Sequence, residues 1–218
     1  MGIELDHAFI GCRPGAPEAE ALLAQGFVEG SPNVHPGQGT ANRRFFFGNF
    51  KLELIWVEDE AEARSERTAR TRLWERCSRS HDAANPFGIL FRSDGTPEPP
   101  PFATWPYHPA YLPAGLAIEF AEGTSLEEPE LIYLPFVRGQ RPSAEPTAHR
   151  LPLHRVRSLV AGVAARARLS PAALAVEQTG LVTYAPTSAS QLTVVFEGTD
   201  RPHVDLRPAL PLILCGAP

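Results

Sequence analysis

The sequence predicts an α+β protein of two βαβββ units packed around a shared cleft, with an extra helix and a Pro-rich insertion between them. Three observations carry this expectation: a strand, helix, strands order at the start of the chain, its recurrence near the end, and a long Pro-rich stretch between the two. At 218 residues the chain is long enough for one large domain, and an apolar content of 43% is that of an ordinary globular core.

Ile3 to Cys12 has strand character. Pro17 at a first-turn position, followed by Ala19, Leu22 and Leu23 and closed by Gly26, reads as a short amphipathic helix. Phe27 to Gly30 reads as a brief strand and His35-Pro-Gly-Gln-Gly-Thr40 as a turn-rich loop. Arg43 to Phe47 and Lys51 to Val57 read as two strands joined at Gly48-Asn49. From Ala61 to Ser80 the pattern is helical. Ala69, Leu73 and Cys77 recur on one face, acids stand at the start and Arg at the end as the helix dipole prefers, and the Arg residues read as a solvated outer face.

Phe87 to Arg92 and Gly115 to Phe120 read as two further strands. Between them Pro97, Pro99, Pro100, Pro101, Pro106, Pro109 and Pro113 exclude a regular helix. A loop longer than about 15 residues inside a compact domain is uncommon and is often a lid or binding segment. This one carries Trp105, Tyr107, His108 and Tyr111, so a surface that binds a protein partner through aromatic anchors is one expectation for it.

The recurrence is seen by laying Leu5-Asp-His-Ala-Phe-Ile-Gly-Cys12 over Val156-Arg-Ser-Leu-Val-Ala-Gly-Val163, which puts Gly11 on Gly162. After an insertion of three residues, Pro17 and Gly26 stand as far apart as Pro171 and Gly180, with Ser170 as the N-cap of the second helix. Arg44-Phe-Phe-Phe-Gly48 then lies over Val194-Val-Phe-Glu-Gly198, and Leu52-Glu-Leu-Ile-Trp56 over Leu210-Pro-Leu-Ile-Leu214. The expected division is 1–60 for the first unit, 61–150 for the connecting helix, strands and Pro-rich segment, and 151–218 for the second unit, in one compact domain.

Composition excludes several classes. A formal charge of −5 offers no basic face for nucleic acid. No apolar run approaches the roughly 20 residues that span a bilayer, and the N-terminus enters a strand without a signal-peptide core, so no membrane association and a cytoplasmic location are expected. Cys12, Cys77 and Cys215 are far apart and show no CxxC pairing, which argues against disulfides and structural zinc. The glycine loop lacks the Gly-Lys-Ser/Thr ending of a phosphate cradle, so no nucleotide cofactor is expected. No Gly-x-Ser-x-Gly elbow supports a triad hydrolase. Nineteen of the twenty basic residues are Arg and only Lys51 is Lys, which reads as codon bias.

Leu5-Asp-His7 opening the first strand, Lys51-Leu-Glu53-Leu-Ile-Trp closing the first unit, and His35-Pro-Gly-Gln-Gly-Thr-Ala-Asn42 running into Arg43-Arg-Phe-Phe-Phe-Gly together resemble the glyoxalase/bleomycin resistance/dioxygenase superfamily, the vicinal oxygen chelate proteins, and within it the uncharacterised glyoxalase-like domains. The resemblance implies a small-molecule cleft in which His7 and Glu53 hold a divalent metal (Zn, Ni, Mn or Fe) for a lyase, isomerase or dioxygenase reaction. The second repeat departs from it, with Ser158 at the place of His7 and Pro211 at that of Glu53. A third ligand must then come from elsewhere. Glu119, a lone carboxylate in Leu116-Ala-Ile-Glu-Phe120, is the candidate for that ligand or for a catalytic general base.

His35 and Asn42, bracketing the glycine loop, are expected to touch the ligand; a turn made by Gly37 and Gly39 and capped by Asn42 is the plainer alternative. Arg92, Trp105 and His108 are expected to line the pocket as anion anchor, apolar wall and proton donor, against ordinary loop and edge packing. The missing ligands also leave open a metal-free binding protein of the same fold. A homodimer is expected by analogy with the family alone.

Overall fold

The computed structural model describes residues 2–78, 84–96, 98–139, 144–164, 168–198 and 202–217. Strand β1 (Ile3–Gly11) lies near the middle of an eight-stranded sheet. Leu5, Ala8 and Ile10 enter the main core on one face, while His7 and Phe9 face the other; an irregularity between Leu5 and His7 resets the alternation. A short helix α1 (Ala19–Ala24) follows, then β2 (Asn33–His35), β3 (Thr40–Phe46) and β4 (Lys51–Val57). β4 pairs parallel with β1, β3 antiparallel with β4, and β2 antiparallel with β3, so the first unit is the expected βαβββ. Phe27 to Gly30 is not a strand; the short strand lies further on, at β2.

The helix expected over 61–80 is three short ones, α2 (Glu60–Ala63), α3 (Glu66–Ala69) and α4 (Leu73–Cys77), with Arg79 and Ser80 outside the described residues. Two local conformations break it. Ser65 is extended (ψ 156°) and Arg72 is left-handed (φ 55°), and neither continues a right-handed helix.

β5 (Phe87–Ser93), β6 (Thr104–Tyr107), β7 (Ile118–Ala121) and β8 (Glu130–Arg138) complete the sheet in the order β2-β3-β4-β1-β5-β8-β7-β6. β5 pairs antiparallel with β1 and parallel with β8, β7 antiparallel with β8, and β6 antiparallel with β7. The second half of the sheet thus repeats the strand pairing of the first. Where the first has α1, the described residues between β5 and β6 form no helix. Of the prolines that suggested an insertion, Pro106 alone lies in a strand among the described residues. Pro106 sits on the edge strand β6, and Pro135 sits where the β5–β8 register shifts.

β9 (Val156–Val163), α5 (Pro171–Gln178), β10 (Val182–Pro186), β11 (Leu192–Phe196), β12 (His203–Asp205) and β13 (Leu212–Gly216) form the remainder. Ser170 caps α5, its Oγ accepting from Ala173 N at 3.1 Å. These strands make a separate five-stranded sheet in the order β10-β9-β11-β13-β12. β13, which the repeat placed over β4, is separated from β9 by β11, whereas β4 lies directly beside β1. The glyoxalase-like α+β class stands, but the partner of the first unit across the cleft is β5–β8 rather than the C-terminal repeat.

Alternation divides the eight-stranded sheet into two faces. Leu52, Leu54, Phe87, Ile89, Phe91, Leu131 and Tyr133 join one continuous core with Leu159, Val194, Phe196 and Leu212 of the second sheet. On the opposite face Phe9, Ile55, Leu90, Phe120, Ile132 and Leu134 form a second cluster with Leu73 and Cys77 of α4. That face carries the cleft.

Candidate functional site

A cavity of about 810 Å³ lies against this second face. Strands β1–β5, β7 and β8 contribute to its lining, and β9–β13 do not. Its two walls differ in chemistry. The first half of the sheet and its neighbours contribute polar Asp6, His7, Asn33, His35, Gln38, Lys51 and Glu53 beside apolar Phe9, Phe46, Phe50 and Ile55; the second half contributes Arg92 and, otherwise apolar, Leu90, Ile118, Phe120, Ile132, Leu134 and Phe136.

The polar corner is built from register. His7 on β1 sits opposite Lys51 on β4, and Glu53, two residues further on, keeps the same face. His7 Nδ1 bonds Asp6 Oδ1 at 2.5 Å, and Arg92 donates to Asp6 Oδ2 at 2.8 Å and to Glu4 Oε1 at 2.7 Å. Burial opposes ionisation of Asp6, but His7, Lys51 and Arg92 overcome it and hold its carboxyl well below the usual range. Nδ1 donates to that carboxylate, and Nε2 lies on the side of Glu53, 3.8 Å from its Oε1.

Glu53 is buried with both oxygens engaged. Oε1 accepts from Lys51 Nζ at 2.8 Å and Oε2 from Asn42 Nδ2 at 2.8 Å. Burial alone would raise its pKa; the charges of Lys51 and His7 outweigh that and bring it down to about 2. Asn42, fully buried, also accepts from Asn33 N through Oδ1 at 3.0 Å, which fixes its amide.

Beside this corner His35 Nδ1 lies 2.9 Å from Thr40 Oγ1, and Asn33 Nδ2 lies 3.2 Å from His35 Nε2. Burial lowers the pKa of His35, so the ring is neutral. Tyr111, from the Pro-rich segment, packs against His35 with the rings tilted by 40° and their centroids 4.9 Å apart, and donates to Gln38 Oε1 at 3.2 Å. The aromatic side chains of that segment turn inward: Tyr111 lines the cavity, Tyr107 is buried, and Trp105 stacks on Phe120 at 5.1 Å under the Arg70 guanidinium. They are thereby used in packing, not presented as anchors for a protein partner. Pro97 lies outside the described residues.

The expected site residues are thus only partly assembled. His7, Glu53, His35 and Arg92 line the cavity, and Asn42 stands behind Glu53 as its holder. Arg92 is no anion anchor, since its fork is occupied by Glu4, Asp6 and Asn49 O. Gly37 and Gly39 have φ of 78° and 73°, as the turn requires. Trp105 and His108 are not among the lining residues; His108 is exposed, with its Nδ1 3.2 Å from Leu116 O. Glu119 is not there either. Its neighbours Ile118 and Phe120 face the cavity, and the two-residue period of β7 turns Glu119 away. Sequence reasoning passed over Asp6 and Lys51, although both lie within two residues of His7 or Glu53.

A divalent metal does not fit the donors present. Among the described residues no group of three or more His, Cys, Asp or Glu side chains converges. β5 and β8 line the cavity with Leu90, Arg92, Ile132, Leu134, Phe136 and Val137, none of which carries a metal-ligating side chain. Both oxygens of Glu53 already hold donors, and one of those donors is itself a cation.

The protein is thus an α+β structure in which a curled sheet of two like halves bears an amphipathic cavity. The family described as Glyoxalase-like domain matches residues 5–176, and the chain belongs to that family. No curated protein matches the chain. Among solved structures, a hypothetical protein from Staphylococcus aureus is similar over 100% of both chains, with 9% identity and a TM-score of 0.51, which shows the fold alone. A mutant 4-hydroxymandelate synthase from Streptomyces coelicolor is similar over 99% of this chain and 62% of its own, with 12% identity and a TM-score of 0.43. Among the described residues no helix is long and apolar enough to cross a membrane.

Proposed function

We propose that this chain binds an amphipathic organic molecule in the cleft of its eight-stranded sheet, and does so without a divalent metal. One observation carries the reading: the cavity is amphipathic, its charged lining residues Asp6, His7, Lys51, Glu53 and Arg92 joined to one another in a single cluster and the rest of its lining largely apolar, with Leu90, Ile118, Phe120, Ile132, Leu134 and Phe136 forming an apolar wall. A ligand with a polar end and an apolar body matches both walls at once. The metal-dependent lyase, isomerase or dioxygenase reading needs a third ligand, and the apolar wall stands where that ligand would have to be. The metal-free reading is the better supported.

The neutral dye N-phenyl-1-naphthylamine probes the apolar wall directly. Saturable binding at one site per chain is expected, and Leu90→Gln, which puts an amide against the apolar body of the ligand, should weaken it about tenfold or more. Non-saturable fluorescence, or an unchanged affinity in a Leu90→Gln protein with wild-type circular dichroism, would contradict the reading.

A further inference from the structure

Lys51 is the single lysine in a chain that uses Arg at the other nineteen basic positions, and it lines the cavity. Its ammonium differs from a guanidinium in being a compact charge with three donors that rotate freely, whereas a guanidinium is a wide planar fork. One of the three points at Glu53 Oε1, 2.8 Å away, and no other acceptor is recorded for Nζ among the described residues. Two donors are therefore free for an acceptor inside the cavity, beside His7 Nε2.

The charges around it define what that acceptor can belong to. Among the lining residues Asp6 and Glu53 stand against Lys51 and Arg92, so the fixed charges of the corner balance. A carboxylate or phosphate ligand would bring an uncompensated negative charge to a corner whose fixed charges already balance, and the apolar wall offers it no donor. An organic cation would have to sit beside Lys51, whose positive charge faces the cavity. An uncharged oxygen meets neither obstacle.

We propose that Lys51 is the cation built into this cleft, and that it holds the carbonyl oxygen of an uncharged, otherwise apolar ligand whose body lies on the wall formed by Leu90, Phe120, Ile132 and Leu134. The proposal rests on the reading of the cleft as a ligand site and adds the ligand's chemical class and the residue that selects it. Lys51 contributes here the positive charge that two ligands, His7 and Glu53, are too few to hold as a metal ion.

Four probes of one shape test it by equilibrium dialysis: 2-acetylnaphthalene, 2-ethylnaphthalene, 2-naphthoate and 2-naphthylmethylamine. The ketone should bind at least about tenfold tighter than the hydrocarbon, the value expected of a hydrogen bond from a charged donor, and tighter than either ion. In Lys51→Met the ratio of ketone to hydrocarbon should fall to about one. Because that change leaves Glu53 buried without its cation, Lys51→Met combined with Glu53→Gln provides a second background in which the same ratio should collapse. Hydrocarbon binding with no preference for the ketone, a preference for naphthoate or the amine, or a ratio that survives both variants would overturn the role of Lys51 while leaving the cleft a ligand site. If none of the four binds, both the cleft reading and the inference fail.

Discussion

An Arg76→Ala variant is expected to lose about 3–5 kcal/mol of stability, the cost of breaking a buried ion pair by removing one partner. Arg76 is on α4, and its side chain has no exposed surface (0%). Its guanidinium donates to Asn85 O at 2.9 Å, Glu128 O at 2.8 Å, Ser125 O at 3.0 Å and Glu130 Oε2 at 3.0 Å. Glu130, at the start of β8, also accepts from Arg72 at 2.9 Å and from Thr124 Oγ1 at 2.7 Å. The cluster ties α4 and the 124–128 segment to the strand that bears half of the apolar wall. Truncation leaves the buried carbonyls of Asn85 and Glu128 without this donor and Glu130 with a single cation. Urea denaturation measures the loss; a change below about 1 kcal/mol, the size of an ordinary point substitution, would show that the cluster is a bystander.

The second large effect is expected at Glu53, through pH. Its carboxyl ionises at about 2 in the fold against an ordinary 4.5, so the folded state favours the charged form. A lowered folded pKa contributes stability that is present above the unfolded value and is lost as pH falls through the folded one; the interval corresponds to about 3 kcal/mol. Wild-type stability should therefore drop by about that much more than Glu53→Gln stability between about pH 5 and pH 2. Asp6 is also held low and adds an acid limb of its own, so the difference between the two curves isolates Glu53. Parallel curves would mean that Lys51 and His7 do not hold the charge of Glu53.

The first half of the site was legible because short-range rules act on it. A two-residue period places His7 on one face of β1 and Glu53 on the same face of β4, and parallel pairing then brings them within 3.8 Å. The second half was hidden by its proline. With seven prolines from Pro97 to Pro113, Pro106 of β6 among them, the segment that completes the sheet reads as an insertion, whereas the C-terminal repeat resembles the first unit in element order but pairs its strands differently. Which strand lies beside β1 is a long-range choice, made when the cavity face of β5 packs against Phe9. Gly88, opposite Phe9, leaves room for the ring: a Cβ there would approach Phe9 Cε1 to 2.0 Å.

Glu119 shows the same lesson in one strand. Apolar residues on both sides of a lone carboxylate mark the inward face as theirs, so Ile118 and Phe120 look into the cavity and Glu119 does not. Lys51 was visible as a compositional oddity, and its position two residues before Glu53 was the signal that it belongs to the site.

Elemental analysis of protein purified without a His-tag and reconstituted with Zn, Ni, Mn or Fe, beside a His7→Ala, Glu53→Ala double variant, tests most directly whether Lys51 or a metal supplies the positive charge of the cleft. Metal far below one equivalent in both proteins is the predicted result. Near-stoichiometric metal in the wild type that disappears in the variant would contradict it and make His7 and Glu53 ligands after all.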